Sequence, residues 1–402
     1  SKDVTVAYGA VGRTPFIEHF SSSTCYPCVF VNEDMEVLTA ANEGKFAYVK
    51  YPMNGPGTGD PYYTNECGTR RSYYSVNAVP MMFLDGISTL APQTQLDLDN
   101  SLSQTSFVNV QGAFTVEGNN INVVADFMAY SDIYNAKAYI SINEKTTIGN
   151  IGSNGETQFH HISMKMLPSA QGETISLNAG EIKHFEYTFD MSTTNVEDMN
   201  DLEVAIWLQN QTNKEVYNSK FAMEYTEHLY AVEDLSAVID GDYVTFSINW
   251  NKPEKANPTG YNIYLDGELI EENYTETSYS DESAETIDYL TDGNQHIVEV
   301  VAVYENGTSV GSAVLVTKGT NVSEITENNI SVYPNPANDF VKISANYNIN
   351  SVKVYNCLGI MVEEFEVNAN EVEINISEYN TGIYFVNVQT ENGNLVKKVV
   401  KK

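Results

Sequence analysis

Two of the four cysteines of this 402-residue chain stand three apart in "HFSSSTCYPCVFVNED", residues 19–34. At C-x-x-C spacing, Cys25 and Cys28 can be a redox couple, half of a zinc site, or a local staple. Zinc requires four ligands, and the remaining cysteines, Cys67 and Cys357, have no partner at ligand spacing. The adjacent His160 and His161 sit in a strand-like stretch and point to opposite faces, so they cannot share one ion. No metal and no cofactor is therefore expected. Ser21–Ser23 have no base at a defined spacing, which leaves a hydrolase without support.

The redox reading depends on what positions the pair. "TPFIEHF" (14–20) reads as a short strand, and Val29, Val31, Met35, Leu38 and Ala41 follow near helical spacing, with acids placed early. Gly44 supplies a stop and "KFAYVKY" (45–51) a second strand. Cys25 thus precedes a helix whose first turn holds Cys28. Unpaired amides and the helix dipole would favour a thiolate there and lower its pKa. Pro27 suits a first turn, where its missing N–H is no loss. A Pro/Gly-rich excursion (52–68), a short helix (70–76) and a strand entering a turn (81–86) complete an α/β layer pattern.

From residue 107 the hydrophobic period changes to two, with Gly/Asn turns, as in antiparallel sandwiches. The expected division is an α/β domain at 1–106, a β-sandwich at 107–227, another β module at 228–318, a polar linker at 319–329 and a third sandwich at 330–402. Trp207 reads as a core anchor. The net charge is −33, of which −26 falls in 107–328, so nucleic acid and anionic lipid are poor partners. No EF-hand loop is present, and no apolar run reaches the ~18–20 residues that span a bilayer. The opening "SKDVTVAYGA" lacks a signal-peptide layout and reads as a mature start or an artificial chain boundary.

The run from Phe16 through the cysteine pair to Tyr51 resembles the strand, C-x-x-C, helix, strand opening of the thioredoxin superfamily. "YYSVNAVPMMFLDG" (73–86) resembles that fold's second signature, with Val79-Pro80 before a strand and Asp85-Gly86 at the turn. The resemblance implies that Cys25 is the nucleophile, Cys28 the resolving thiol, and Pro80 a cis-proline that holds substrate backbone. Thr24 stands where the family usually has Trp. Six residues before the first cysteine, where a buried Asp often relays protons, stands His19, with Glu18 beside it as the other candidate. Cys67, in the excursion that leaves the same sheet edge, is a candidate third thiol or a packed free cysteine. The Tyr-rich excursion is a candidate wall for a peptide groove.

The succession of this domain and a sandwich resembles thioredoxin-fold surface proteins of Bacteroidota. "VTFSINWNKP" (244–253), "GYNIYLDGELI" (260–270) and "LTDGNQHIVEVVAVYENGTSVGS" (290–312) resemble a fibronectin type III module, with His296 at the tyrosine-corner position. "VYPNPANDFVKI" (332–343), "VKVYNCLGIMV" (352–362) and the last 29 residues resemble the sorting domain of type IX secretion cargo. Pro334 and Pro336 would make an edge turn, Asn356–Gly359 a hairpin that holds an unpaired Cys357, and Gly382 a kink. That resemblance implies passage through the periplasm, recognition by the type IX machinery, and delivery to the cell surface or medium. An oxidising route favours a Cys25–Cys28 disulfide. Three functions remain open: a secreted thiol-disulfide oxidoreductase or isomerase acting on proteins, a surface binding or adhesion protein on a non-catalytic scaffold, and a redox-regulated binder.

Overall fold

The computed structural model describes residues 7–89, 91–224, 227–240, 243–318, 330–356, 360–390 and 393–402. They form two compact units, one of residues up to 237 with 248–279 and 295–316, the other of 238–247, 280–294 and 317–402. The described chain is mostly β-strand.

After the short strand Val11–Gly12, which pairs with Thr105–Ser106, the first unit runs β1 (Phe16–Ser21), α1 (Tyr26–Ala41), β2 (Ala47–Pro52), α2 (Asn65–Tyr74), β3 (Met81–Leu84), β4 (Ile87–Thr89) and α3 (Gln95–Leu102). β1 and β2 run parallel, as a β-α-β unit requires, and β3 and β4 add antiparallel. Every residue of β1 is buried, the polar Glu18, His19 and Ser21 included, as in a strand covered on both faces. Its two faces belong to different cores. Ile17 packs with Val31, Met35 and Leu38 of α1 and with Leu98 of α3. Phe16 and Phe20 pack with Tyr51, Tyr74, Phe83 and Trp207.

Local chemistry sets the element ends. Asn42 stops α1 by donating its side-chain amide to the Leu38 carbonyl at 2.9 Å, and Gly44 turns the chain at φ +73°. The Thr64 hydroxyl accepts the Cys67 amide at 3.2 Å and starts α2 at Asn65, ahead of the start at 70 that the sequence pattern predicts. α3 carries a capping box between Thr94 and Asp97 and was not legible in the periodicity. Asp85-Gly86 turns β3 into β4 with both φ values positive, the pattern of tight hairpin turns.

Then follow β5 (Val108–Glu117), β6 (Asn120–Ala129), β7 (Ile133–Thr147), β8 (Phe159–Leu167), β9 (Glu173–Leu177), β10 (Ile182–Asp190), β11 (Leu202–Asn210), β12 (Val216–Phe221) and β13 (Met223–Glu224). The expected boundary at 106/107 is no break in the sheet. β8 pairs parallel with β2 through Ile162 and Lys50, giving one nine-stranded sheet in the order β12-β11-β7-β8-β2-β1-β3-β4, with β9 on β7. A second sheet, β10-β6-β5-β13, supplies Val110, Phe114, Val123 and Phe127 to the core shared with Ile140, Ile162 and Ile206. Trp207 is fully buried and stacks on Phe16 and Tyr139, with ring centroids 4.3 and 5.1 Å away. Further along the first unit, Gly260–Leu265, Glu268–Tyr274, Ile297–Tyr304, Gly307–Thr308 and Ser312–Leu315 form a five-stranded antiparallel sheet.

The second unit holds the five strands Ile330–Tyr333, Phe340–Asn356, Met361–Asn375, Gly382–Thr390 and Gly393–Lys401, around a core that includes Ile343, Val352, Ile374 and Val388. Pro334 and Pro336 lie in the turn between the first two of these strands, as expected. The expected linker 319–329 and the expected hairpin with Cys357 lie outside the described residues. No helix is long and apolar enough to cross a membrane among the described residues.

Candidate functional site

Cys25 and Cys28 are joined as a disulfide at the start of α1. Cys25 is the N-cap residue, with extended backbone, and Pro27 occupies the first turn. A helix start usually carries an oxygen side chain that accepts an amide from the first turn. Here no side chain does so, and the first turn holds no acid. The acids expected early in the helix begin only at Glu33, in its third turn. The positive end of α1 is therefore bare except for sulfur.

The Cys25 Sγ lies 3.6 Å from the carbonyl oxygen of Val79, whose bond to Pro80 is cis. The topology thus brings Cys25, Cys28 and Pro80 to one place. The segment before Cys25 is locked. Asp60 accepts the Ser23 amide at 2.9 Å and the Tyr62 amide at 2.9 Å. The Asn154 amide donates to the Ser23 carbonyl at 3.0 Å, and the Thr24 hydroxyl donates to the Pro56 carbonyl at 2.6 Å. Burial pushes the Asp60 carboxyl above its usual range, and the amides it accepts work against that rise. Cys25 is 1% exposed and Cys28 0%. On the open side, Tyr26 and Phe30 project into solvent as an edge-to-face pair 5.6 Å apart. Beyond Val79 lies a groove of about 340 Å³ lined by Met53, Pro56, Arg71, Asn77 and Ala78.

The other candidates sit deeper. His19 is fully buried, with Nδ1 2.7 Å from the Tyr48 hydroxyl and Nε2 unpartnered. Burial, then the nearby Lys50 charge, depress its pKa well below the usual value, so the ring is neutral at neutral pH. Glu18, next along β1, points to the opposite face. It accepts from Arg70 Nε at 3.0 Å and Nη2 at 2.5 Å, from Tyr51 at 2.9 Å and from Tyr74 at 2.5 Å. All of its acceptor capacity is committed to that buried network. Cys67 does not join the pair. It is a free thiol, fully buried, with Thr64 donating to its sulfur at 3.1 Å. Burial pushes it up to about 12.

Three residues here escaped the sequence reading. Asp60 stands in the expected Pro/Gly-rich excursion and Arg70 in the expected short helix, and neither was singled out. Lys50 carried a signal, a lone cation within the apolar "AYVKY". It is buried in β2, pushed down to about 8 by burial while Glu156, Glu36 and Asp60 pull it up. With Tyr48, His161 and Glu203 it lines a cavity of about 680 Å³. His160 and His161 do turn to different partners, Thr146 at 3.2 Å and Glu203 at 2.7 Å. His296, at the tyrosine-corner position, sits 2.7 Å from Asp266 through Nδ1.

Residues 331–402 match the family described as "Secretion system C-terminal sorting domain". No curated protein matches the chain. Among solved structures the chain is similar to HBP35 of Porphyromonas gingivalis, at 9% identity over 98% of this chain and 99% of that one, with a TM-score of 0.42. It is also similar to an Fn3-like protein from Clostridium thermocellum, at 22% identity over 22% of this chain and 90% of that one, TM-score 0.18. Dimeric latent PorU from Porphyromonas gingivalis gives 11% identity over 83% and 37%, TM-score 0.17. Global likenesses of that size leave the chemistry to be argued from this chain's own residues. The sorting tail, by contrast, is a direct match, and it marks the protein for recognition by the type IX machinery and for secretion to the cell surface or the extracellular space.

Proposed function

We propose that this is a secreted, thioredoxin-like thiol-disulfide exchange protein that acts on extracellular polypeptides, with residues 1–106 supplying the redox site, 107–227 and the fibronectin type III-like 228–318 acting as spacer or binding modules, and 330–402 as the sorting domain. One observation carries the reading: Cys25 is the N-cap of a helix that has no other cap. N2 is Pro27, which has no N–H, so the only amide in capping position is that of Cys28 at N3. A Cys25 thiolate supplies the anion this helix end lacks.

In the oxidised state the step runs as follows. A substrate thiolate attacks the Cys25 sulfur, the Cys25–Cys28 bond breaks, and Cys28 leaves as a thiolate that takes a proton. A second substrate thiolate then attacks the substrate sulfur of the mixed disulfide and releases Cys25 as the capping thiolate. The substrate gains a disulfide and the pair gains two electrons. The groove beyond Val79 and the exposed Tyr26 and Phe30 are suited to hold an extended peptide against the Val79 backbone. Cys67 and Glu18 take no part, and His19 is committed to the Tyr48 hydroxyl.

A second reading rests on the 1% and 0% exposure of the pair. It is a surface binding protein whose disulfide only fixes the start of α1. Insulin reduction by the full chain, with glutathione-buffered measurement of the Cys25–Cys28 potential, separates the two. Turnover that Cys25→Ser abolishes is the expected result. No turnover, together with a disulfide that withstands millimolar glutathione, leaves the scaffold reading.

A further inference from the structure

Away from the cysteine pair, Asp126, His184 and His228 each turn one ligand atom to a common point. Asp126 is in β6 and His184 in β10, directly opposite each other in the antiparallel ladder. His228 arrives from the segment that follows β13. The Asp126 Oδ1 is 2.5 Å from His184 Nδ1, and its Oδ2 is 2.7 Å from His228 Nε2. All three ligand atoms lie within 4.8 Å of one another, and among the described residues this is the group of metal-ligating side chains that meets such a spacing. Neighbouring ligands of a tetrahedral zinc ion lie about 3.3 Å apart, so closing on an ion requires small side-chain rotations only.

Two further features point the same way. His184 turns its second nitrogen, Nε2, to Glu186 Oε1 at 3.2 Å. Glu186 is held in turn by the Tyr230 hydroxyl at 3.0 Å and by the Lys255 ammonium. Both nitrogens of His184 thus face carboxylates. With an ion on Nδ1, the neutral ring donates Nε2–H to Glu186, which is the carboxylate support that metal-bound histidines commonly have. His228 is 6% exposed, and its Nδ1 is buried without a hydrogen-bond partner. The only polar commitment of that ring is the nitrogen aimed at Asp126.

We infer that Asp126, His184 and His228 form a binding site for a divalent transition-metal ion of the zinc class, oriented by Glu186 and linking the segment at residue 228 to the β6-β10 pair. Two imidazoles and one carboxylate are a borderline-soft donor set, suited to zinc, cobalt, nickel or copper rather than calcium or magnesium. Three protein ligands leave one position open to water or a further ligand. The site does not use the cysteine pair, so its test is independent of the exchange chemistry.

The test uses the full chain, stripped with chelator and titrated with zinc by calorimetry and with cobalt by visible absorption. One ion per chain is expected, with micromolar or tighter affinity, intense four-coordinate cobalt bands, and a rise of the unfolding temperature on zinc addition. His184→Asn and His228→Gln, each verified as folded by circular dichroism, should lose the cobalt bands and weaken zinc binding at least 100-fold. Glu186→Gln keeps all three ligands and should weaken it about 10- to 100-fold. Excess calcium should not compete. No uptake by the wild type overturns the inference, and so does zinc uptake that persists unchanged in both histidine variants. Displacement by calcium would place the ion on surface carboxylates and would overturn it equally.

Discussion

Among single residues, the clearest division of labour is on β1. Glu18 and His19 are neighbours in sequence, both fully buried, yet they serve opposite faces of the sheet. Glu18 and Arg70 form an ion pair with both side chains at 0% exposure. Removing one partner of such a pair leaves an unpaired buried charge, and Arg70→Met should cost about 3–5 kcal/mol in urea unfolding. Adding Glu18→Leu should recover a large part of that loss. His19 contributes to pH dependence with a definite sign. Its folded pKa lies below the unfolded value near 6.5, so the unfolded chain binds more protons on acidification. The stability it contributes is complete above pH 6.5 and falls as pH drops below it. Between pH 7.5 and 5.5, the wild type should lose about 1 kcal/mol more than His19→Asn in paired urea melts. Cys67, protonated and buried at pH 8, should resist alkylation until the protein unfolds, and Cys67→Ala should leave the Cys25–Cys28 potential unmoved. Labelling of native Cys67 at the rate of a free thiol would show that the core around α2 opens.

For the elements, the question is what holds the start of α1 closed. The locking contacts come from three places: Asp60 in the excursion after β2, Val79 before β3, and residues 152–154 ahead of β8. Gly152 is the tightest of these contacts. A Cβ there would fall 2.3 Å from the Ser23 carbonyl oxygen, against backbone rather than a flexible side chain. Gly152→Ala should push the 22–25 segment outward, and dithiothreitol should reduce the disulfide severalfold faster while overall stability falls by about 1–3 kcal/mol. An unchanged reduction rate would mean that the buried pair is reached from the Tyr26 side instead. The segment just before Cys25 is therefore held by a loop more than a hundred residues downstream.

Across the whole molecule, the decisive feature is that the cysteine-bearing layer is not a free-standing sheet. β2 has β8 as its parallel neighbour, and Trp207 of β11 stacks on Phe16 of β1. A fragment ending at residue 106 exposes the β2 edge and loses the Trp207, Tyr139 and Gln209 contacts, so it should lack a cooperative thermal transition that the full chain shows by circular dichroism. Deleting 331–402 should leave that transition in place, because the first unit has its own core, and should abolish delivery to the cell surface in a host with type IX secretion. Surface delivery without the tail would mean that another segment carries the export signal.

Much of this was legible in the sequence where it depended on short-range physics. Strand alternation, the helix after the cysteines, the Asp85-Gly86 turn and the tail motifs at 332–343 and 352–362 are encoded within a few residues each. The spacing of Cys25, Pro27 and Cys28 likewise limited the pair to a few chemistries before any fold was known. What required the tertiary structure was every decision made by distant partners. The joining of two expected domains through Ile162 and Lys50, the capture of Glu18 by Arg70, the locking of Ser23 by Asp60 and Asn154, and the meeting of Asp126, His184 and His228 all bring together residues far apart in the sequence, from |i−j| = 37 for Ser23 and Asp60 upward. Periodicity reports which face of an element is buried, not against what. The roles of polar residues inside this protein were therefore set by packing, because a buried charge or ring nitrogen must find its partner wherever the fold supplies one.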